Sequence, residues 1–403
     1  MATDHENPFR IHGAVRKPFF TDREEEIAIF RRVLMEPGAK MMVYGQRRMG
    51  KTSTLDNAVE AVNAGGGHAF LADISTVTTV ADMANRVLDG ATKILGRRWT
   101  TFISDFVTRF QGGVKVAPDP VTGLLGASLE LGVRQENLEV QQASLARVLD
   151  TLNDLAKARG VTLGLVLDEF QEITRLAGEQ GEWHLRGVMQ HHHNMSYIVA
   201  GSQPALLQAM VGKDRAFYDL LDHHAFGPID RDHMSAWIDE RMRSVGLVPN
   251  GAGQVCVDVA GARTRDIVRL ARKCVDIAPD GAVVDHLTVA SALQEIIDEA
   301  ADQSEAWWSK LTPTQQNVLR AVAATDQGLT TKATRKRFAL ESGSVSNTLK
   351  AFVEDGRLAR TVHGSGYCFD SPFLRGWIIV HALPDIAMHL SPSHIASATD
   401  EYK

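Results

Sequence analysis

The fold is decided by the stretch Gly45-Gln46-Arg47-Arg48-Met49-Gly50-Lys51-Thr52. It matches the pattern GxxxxGKT, in which glycines let a loop wrap around a phosphate group. Backbone amides and the N-terminus of the following helix donate hydrogen bonds to that phosphate. The lysine supplies a charge to the terminal phosphates, and the threonine offers its hydroxyl to Mg²⁺. The stretch therefore predicts a P-loop that binds a nucleoside triphosphate with Mg²⁺.

The residues on both sides of this stretch fit the same interpretation. Residues 40–44 form a short apolar run typical of a strand, and residues 52–64 have helical spacing. Strand, loop and helix follow each other as a P-loop requires. The predicted ATP contacts are Gly45, Gln46, Arg47, Arg48, Met49, Gly50, Lys51, Thr52 and Ser53. Arg47 and Arg48 can touch phosphate or a partner subunit, but a solvated or salt-bridged position explains them equally well.

An acidic pair closes a second apolar run. Residues 163–167 read as a strand buried on both faces, and Asp168 and Glu169 follow it directly. Open α/β sheets bind ligands at the carboxyl ends of their strands. We expect Asp168 to hold Mg²⁺, directly or through water, and Glu169 to act as the general base on the attacking water. The alternative is that the pair merely caps a helix.

A serine follows the next predicted strand. Residues 197–200 form that strand, and Ser202 lies just after its end. A polar side chain there can orient the water between the γ-phosphate and Glu169, so we place Ser202 with Lys51 and Glu169 in the catalytic set. A serine in a turn is the plainer alternative.

Composition limits the other function classes. The chain has 403 residues, of which 44% are hydrophobic and 23% are charged, as in globular proteins of two or three domains. With 43 basic and 49 acidic residues the net charge is −6, so any DNA contact needs a local basic patch. Three scattered cysteines and the lack of an apolar run of membrane-spanning length predict a cytoplasmic protein without a membrane segment.

The order of predicted elements divides the chain into five parts. Strands alternate with helices up to about residue 228, which predicts a parallel α/β sheet with crossovers. A capping box at Thr21 and Glu24 predicts a first helix from about Asp22 to Met35, and residues 80–112 read as mostly helical. The expected parts are a flexible arm at 1–15, a P-loop α/β core at 16–228 with an inserted β-hairpin near 114–133, an α-helical lid at 229–305, a winged helix domain at 306–385 and a tail at 386–403.

These motifs together resemble the archaeal-type ATPases, a P-loop family near the AAA+ and STAND groups and related to origin-recognition ATPases. The likeness is carried by residues 20–26, 44–52, 167–171 and 200–202, of which only the P-loop is specific alone. The resemblance implies that residues 19–23 line the adenine pocket, with Phe20 and Arg23 as nucleotide contacts. Relatives often carry a Leu-Tyr-Gly-Arg-like stretch after the sensor strand. Residues 217–220 lack its arginine, and the nearest one, Arg215, is displaced, so a trans-acting arginine finger is not predicted.

Two further segments bear on function. Residues 261–269 look like the start of the lid helix, where relatives place an arginine that senses the γ-phosphate. The spacing does not choose between Arg263 and Arg265. A surface helix rich in arginine is an equal alternative. The run 190–193, with three histidines, predicts a solvated helix end, because consecutive helical positions cannot converge on one metal ion.

Residues 311–375 resemble a winged helix-turn-helix. Between 331 and 361 there are seven basic and three acidic residues, a local excess of four positive charges. Side chains of the predicted recognition helix are of types that meet base edges or phosphates: Ser344, Asn347, Thr348 and Lys350. DNA is the expected partner through 331–361, and docking of a protein is the alternative.

The leading hypothesis is an ATP-driven switch, in which hydrolysis repositions the winged helix. The alternative is a regulatory module that holds nucleotide with little turnover and docks a protein partner or a second copy of the chain. A small-molecule kinase is disfavoured, because it needs an acceptor pocket and a base outside the acidic pair.

Overall fold

A computed structural model describes residues 6–11, 13, 15–95, 114–118, 125–129, 137–324, 329, 331–340, 342–360 and 366–383. The chain forms two compact units. One is Arg23–Gly227, and the other combines Met1–Asp22 with Pro228–Lys403. We call them the sheet unit and the helical unit. The boundary at Pro228 falls at the expected end of the α/β core.

The sheet unit contains five parallel strands in the order β2-β5-β6-β1-β7. The strands are β1 Lys40–Tyr44, β2 His68–Asp73, β5 Leu163–Asp168, β6 Met195–Gly201 and β7 Asp222–Ala225. The helices are α1 Glu24–Met35, α2 Lys51–Ala64, α3 Val80–Leu95, α4 Leu138–Arg159, α5 Glu172–Met189 and α6 Pro204–Met210. The predicted α/β class with a P-loop core is confirmed.

The burial of the strands agrees with their order in the sheet. Every residue of β5 and β6 is buried, as expected of central strands covered by helices on both faces. β6 pairs with β5 on one side and with β1 on the other, so the strand before Ser202 lies between the P-loop strand and the strand that carries the acidic pair. All three strands run in the same direction, so their carboxyl ends meet at one edge of the sheet.

An antiparallel hairpin is inserted between α3 and α4. It consists of β3 Val114–Pro118 and β4 Leu125–Leu129, with Val114 opposite Leu129. Both strands fall inside the segment where the sequence predicts a hairpin. The part of the predicted helical segment at 96–112, with its phenylalanine stripe, lies outside the described residues.

The capping box predicted before α1 is wrong. The helix begins at Glu24, and its N-cap is Arg23, whose side chain makes no capping hydrogen bond. Asp22 and Arg23 both have positive φ, 55° and 77°, and this backbone turn separates Thr21 from the first helical turn. The Thr21 hydroxyl is hydrogen-bonded to Nε2 of His233 instead, at 2.9 Å.

The helical unit contains the helices of the predicted lid and the predicted winged-helix segment. The lid helices are α7 Arg231–Ser244, α8 Ala252–Ala260, α9 Thr264–Ile277, α10 His286–Glu299 and α11 Ala301–Trp308. Two short parallel strands, β8 Val248–Pro249 and β9 Val283–Val284, correct the expectation that this segment is purely helical. The winged-helix segment has α12 Pro313–Ala324, α13 Lys332–Arg337, α14 Ser342–Glu354, β10 Leu358–Arg360, β11 Tyr367–Phe369 and α15 Pro372–Ala382.

Lid and winged-helix segment share one hydrophobic core. Trp307 of α11 packs edge-on against Phe352 of α14, with ring centroids 6.3 Å apart, and Trp308 packs against Trp377 of α15 at 5.9 Å. Phe9 is fully buried in the same core, which differs from the expectation of a loose arm at residues 1–15. The two segments are therefore built as one packed body.

No helix among the described residues is both long enough and apolar enough to cross a membrane.

Candidate functional site

The P-loop joins the end of β1 to the start of α2. Arg48 and Gly50 adopt positive φ, 67° and 93°, so the loop turns sharply before the helix begins at Lys51. Gly45 is required because the loop begins very close to another part of the chain. A Cβ at Gly45 would lie 2.3 Å from the carbonyl oxygen of Phe226, so only glycine lets the loop start this close to the chain after β7. The predicted loop is thus built as its sequence requires.

Lys51 lies folded into the loop. Its Nζ donates to the carbonyl oxygens of Gly45, at 2.8 Å, and Gln46, at 2.6 Å. Burial lowers the pKa of Lys51 to about 8, although the nearby carboxylates of Asp168 and Glu169 act in the opposite direction. The ammonium is therefore placed at the centre of the loop, where phosphate oxygens can replace the two carbonyl acceptors.

Thr52 and Asp168 form the pair of oxygen ligands expected for Mg²⁺. The Thr52 hydroxyl donates to Oδ2 of Asp168 at 2.5 Å. Burial raises the pKa of Asp168 to about 6, and the hydrogen bond from Thr52 opposes this rise. The described residues contain no cluster of three or more His, Cys, Asp or Glu side chains suited to a metal. A hydroxyl, one carboxylate and phosphate oxygens fit Mg²⁺, which usually keeps few protein ligands.

Glu169 is held by two donors on one oxygen. Its φ of 57° turns the chain at the end of β5. Oε2 accepts hydrogen bonds from the Ser202 hydroxyl, at 2.8 Å, and from Nε2 of Gln171, at 2.5 Å. Arg47 Nε in turn donates to the Ser202 hydroxyl at 3.3 Å. The structure thus brings Glu169, Ser202 and the P-loop arginine together, as the strand order implies.

Gln171 is the residue of this cluster that sequence reasoning did not select. It is buried, and it is the N-cap residue of α5, yet its side chain does not cap the helix. Its sequence signals were its place two residues after Glu169 and its position at the end of 167–171, one of the segments that carry the family resemblance. Its contact depends on the turn at Glu169, which no local pattern shows.

Arg23 has structural partners within the sheet unit. It is 4% exposed, and its guanidinium donates to Oε1 of Glu26 and to the carbonyl oxygen of Gly227, both at 2.6 Å. The same guanidinium lies 4.2 Å from the centre of the Phe226 ring. Phe226 also lies next to Gly45. By contacting Phe226, Arg23 therefore supports the start of the P-loop. Its contact with adenine, like that of Phe20 in the helical unit, stays a prediction.

The two candidate lid arginines differ in their surroundings. Arg263 is 4% exposed and hydrogen-bonds to the carbonyl oxygens of Phe369 and Asp370. Its Nη2 also lies 3.1 Å from Oδ1 of Asp370. Arg265, the second residue of α9, is exposed. The structure therefore gives Arg263 an internal task, joining the lid to the winged-helix segment.

Arg215 is engaged in ion pairs of the sheet unit. Its guanidinium lies 2.7 Å from Glu179 and 2.9 Å from Glu182, and the Glu182 side chain is fully buried. These pairs fix Arg215 to α5.

The histidine run fits the expectation of a solvated helix end only in part, because His191 and His193 are exposed but His192 is not. His192 is buried, with Nδ1 2.5 Å from the Tyr197 hydroxyl and Nε2 2.9 Å from Oδ1 of Asp150. It supports the start of β6 and does not lie in a solvated helix end.

The fold is shared with solved ATPase structures. A Walker-type ATPase of Pyrococcus abyssi is 16% identical, with 92% of this chain and 99% of that chain covered and a TM-score of 0.60. The ORC2 protein of Aeropyrum pernix, solved in ADPNP-ADP complexes, is 14% identical, with 93% and 96% covered and a TM-score of 0.55. No family model matches the sequence. No curated protein matches it either. The resemblance seen in the sequence is confirmed at the level of the fold.

Lys51 predicts an alkaline limit for nucleotide binding. Because its pKa is lowered to about 8, the side chain loses its charge as the pH rises through that value, and affinity for ATP should fall. We expect the decline between about pH 7 and pH 9 in the absence of Mg²⁺. Binding of a fluorescent ATP analogue across this range measures it. The Lys51→Arg variant is the control, since arginine stays charged; an identical decline in that variant would assign the effect to another group.

Proposed function

We propose that this protein binds Mg-ATP, hydrolyses it, and uses the nucleotide state to control a contact between its winged-helix segment and DNA. The observation that carries the proposal is the cluster at one sheet edge, where Lys51 lies in the P-loop, Thr52 contacts Asp168 and Ser202 contacts Glu169. A binding loop, oxygen ligands for a metal and a carboxylate base are the groups that phosphoryl transfer to water needs, and here they lie together at one edge of the sheet.

Each side chain has a distinct task in this scheme. Lys51 neutralises the terminal phosphates, while Thr52 and Asp168 would hold Mg²⁺, which would supply further neutralisation of the phosphate charge. Glu169 accepts the proton of the attacking water, and Ser202 orients that water and the carboxylate. The loop residues Gln46, Arg47, Arg48, Met49 and Ser53 complete the nucleotide contacts through backbone and side-chain groups.

The lid reports the nucleotide state through Arg265. Arg263 is occupied by Asp370, whereas Arg265 is exposed and available for a phosphate. Since lid and winged-helix segment share one core, a shift of α9 is transmitted to the winged-helix segment without a flexible joint. In this scheme Arg265 responds to the γ-phosphate and Arg263 carries the response onward.

DNA contact is supported by the charge of the second winged-helix element. Lys332, Lys336 and Arg337 of α13 are exposed. On α14, Asn347 and Lys350 are exposed, while Val345, Leu349 and Phe352 face the core. The helix thus buries its apolar side and presents polar groups, as a recognition helix does.

A protein-docking regulatory module is the second candidate function. Lys350 lies 3.8 Å from Glu354, and Arg357 lies 3.4 Å from Asp355, so part of the positive charge between 331 and 361 is neutralised locally. Such a module would hold nucleotide with little turnover and dock a protein or a second copy of the chain. Steady-state ATP turnover by the purified protein separates the two functions.

The test of the proposed binding step is the Lys51→Ala variant. Removing the ammonium should weaken ATP binding about 10- to 100-fold, because a charge-assisted contact to phosphate is lost. Calorimetry with ATP measures the affinity, and thermal unfolding checks that the variant is folded. Lys213→Ala, an exposed lysine of the same unit, is the matched control. Equal ATP affinity in the parent and in Lys51→Ala would remove the P-loop from the proposed site.

A further inference from the structure

We propose that Gln171 is a positioning residue for the general base, and that its side-chain amide fixes the Glu169 carboxylate in the orientation that hydrolysis needs. The inference rests on the proposed function, because it assigns a task to Gln171 only if Glu169 acts on water. The juxtaposition that carries it is the 2.5 Å contact between Gln171 Nε2 and Glu169 Oε2.

The amide of Gln171 is placed at a cost to stability. Its Nε2 binds Glu169, but its Oε1 is buried without a hydrogen-bond partner among the described residues. A buried oxygen without a hydrogen-bond partner destabilises the folded state. Gln171 is also the N-cap residue of α5, where its side chain could satisfy a free backbone amide, yet it makes no such bond. A purely structural glutamine would use these groups, so the arrangement indicates a task at Glu169.

Gly201 makes room for this side chain. A Cβ at Gly201 would lie 2.2 Å from Oε1 of Gln171, so any other residue at the end of β6 would push the amide away. Because β6 also leads to Ser202, the same strand end both admits Gln171 and supplies the second donor.

The two donors leave one carboxylate oxygen for chemistry. Ser202 and Gln171 both bind Oε2 of Glu169, and no described residue donates to Oε1. Two donors from different elements, one after β6 and one at the start of α5, fix the plane of the carboxylate better than either alone. Oε1 is then the oxygen that accepts the proton of the attacking water.

The test is the Gln171→Met variant, which keeps the size of the side chain and removes both the donor and the unpaired oxygen. We expect kcat for ATP hydrolysis to fall about 10- to 100-fold, since a misplaced base loses much of its effect. The Kd for ATP should stay within about twofold, and the thermal midpoint should stay equal or rise, because a buried unsatisfied atom is gone. Gln190→Ala, at the other end of the same helix, is the control and should retain full activity.

A double-mutant cycle separates positioning from general structural damage. If Gln171 acts through Glu169, the Gln171→Met change should have almost no further effect on kcat in a Glu169→Gln background. An equal loss in both backgrounds, or a loss of ATP affinity, would overturn the positioning role. An unchanged kcat in Gln171→Met, with hydrolysis lost in Glu169→Gln, would overturn this inference alone. Full hydrolysis in Glu169→Gln would exclude Glu169 as the base and overturn this inference, whereas no hydrolysis by the parent protein would overturn the proposed function and this inference with it.

Discussion

The Glu169→Gln variant should bind ATP as tightly as the parent protein and hydrolyse it about 10²- to 10⁴-fold more slowly. The carboxylate is required when the water loses its proton and not when the nucleotide binds, so its removal affects the transition state alone. An amide at this position still accepts hydrogen bonds from Ser202 and Gln171, which keeps the site packed. The result is a protein that retains ATP.

Two measurements check this expectation. Single-turnover hydrolysis gives the rate of the chemical step, and the nucleotide that stays bound after gel filtration shows whether ATP or ADP is retained. Glu172→Gln is the matched control, because this residue lies three positions further on and pairs with Arg175. A single-turnover rate equal to that of the parent would exclude Glu169 as the base and direct attention to Asp168.

The candidate nucleotide site could be predicted because its proposed chemistry requires fixed short spacings. The P-loop needs its glycines, lysine and threonine in consecutive positions, and the acidic pair needs a buried strand before it. The contact between Thr52 and Asp168 then follows from two strands that end at one edge of the same sheet.

Features that depend on pairing between distant segments could not be predicted. β7 has the sequence Asp-His-His-Ala, which lacks apolar alternation, and it forms because it adds to the edge of β1. The burial of His192 depends on Tyr197 and Asp150, which lie in other elements. The burial of Arg263 depends on its contacts with Asp370, more than 100 positions away in sequence. In each case the deciding partner is remote in the chain.

Neutralising the four bases of α13 should remove most of the DNA affinity at low salt. If Lys332, Arg335, Lys336 and Arg337 each contact a phosphate, binding releases their counterions, and the parent should lose affinity roughly 100-fold as salt rises from about 50 to about 200 mM. The variant with all four changed to glutamine should show weak binding with little dependence on salt. The affinity that this variant loses should be similar for all DNA sequences. Asn347→Ala or Lys350→Ala should instead change the preference among sequences.

Fluorescence anisotropy on duplex DNA, with ATP or ADP and at several salt concentrations, measures these effects. The control variant changes four exposed bases of the sheet unit to glutamine, namely Arg31, Arg32, Lys157 and Lys213, and so alters the net charge equally. If the net charge of the chain governed binding, both variants would lose affinity alike. If α13 is the contact, only the α13 variant should lose affinity.

The proposed switch adds a further requirement, since a ligand shifts an equilibrium only through different affinities for two states. Affinity should therefore differ between ATP and ADP, and Arg265→Ala should abolish that difference while leaving the salt dependence intact. Absence of binding at low salt in every nucleotide state would favour the protein-docking module, because exposed bases that contact no phosphate have no counterions to release on binding DNA.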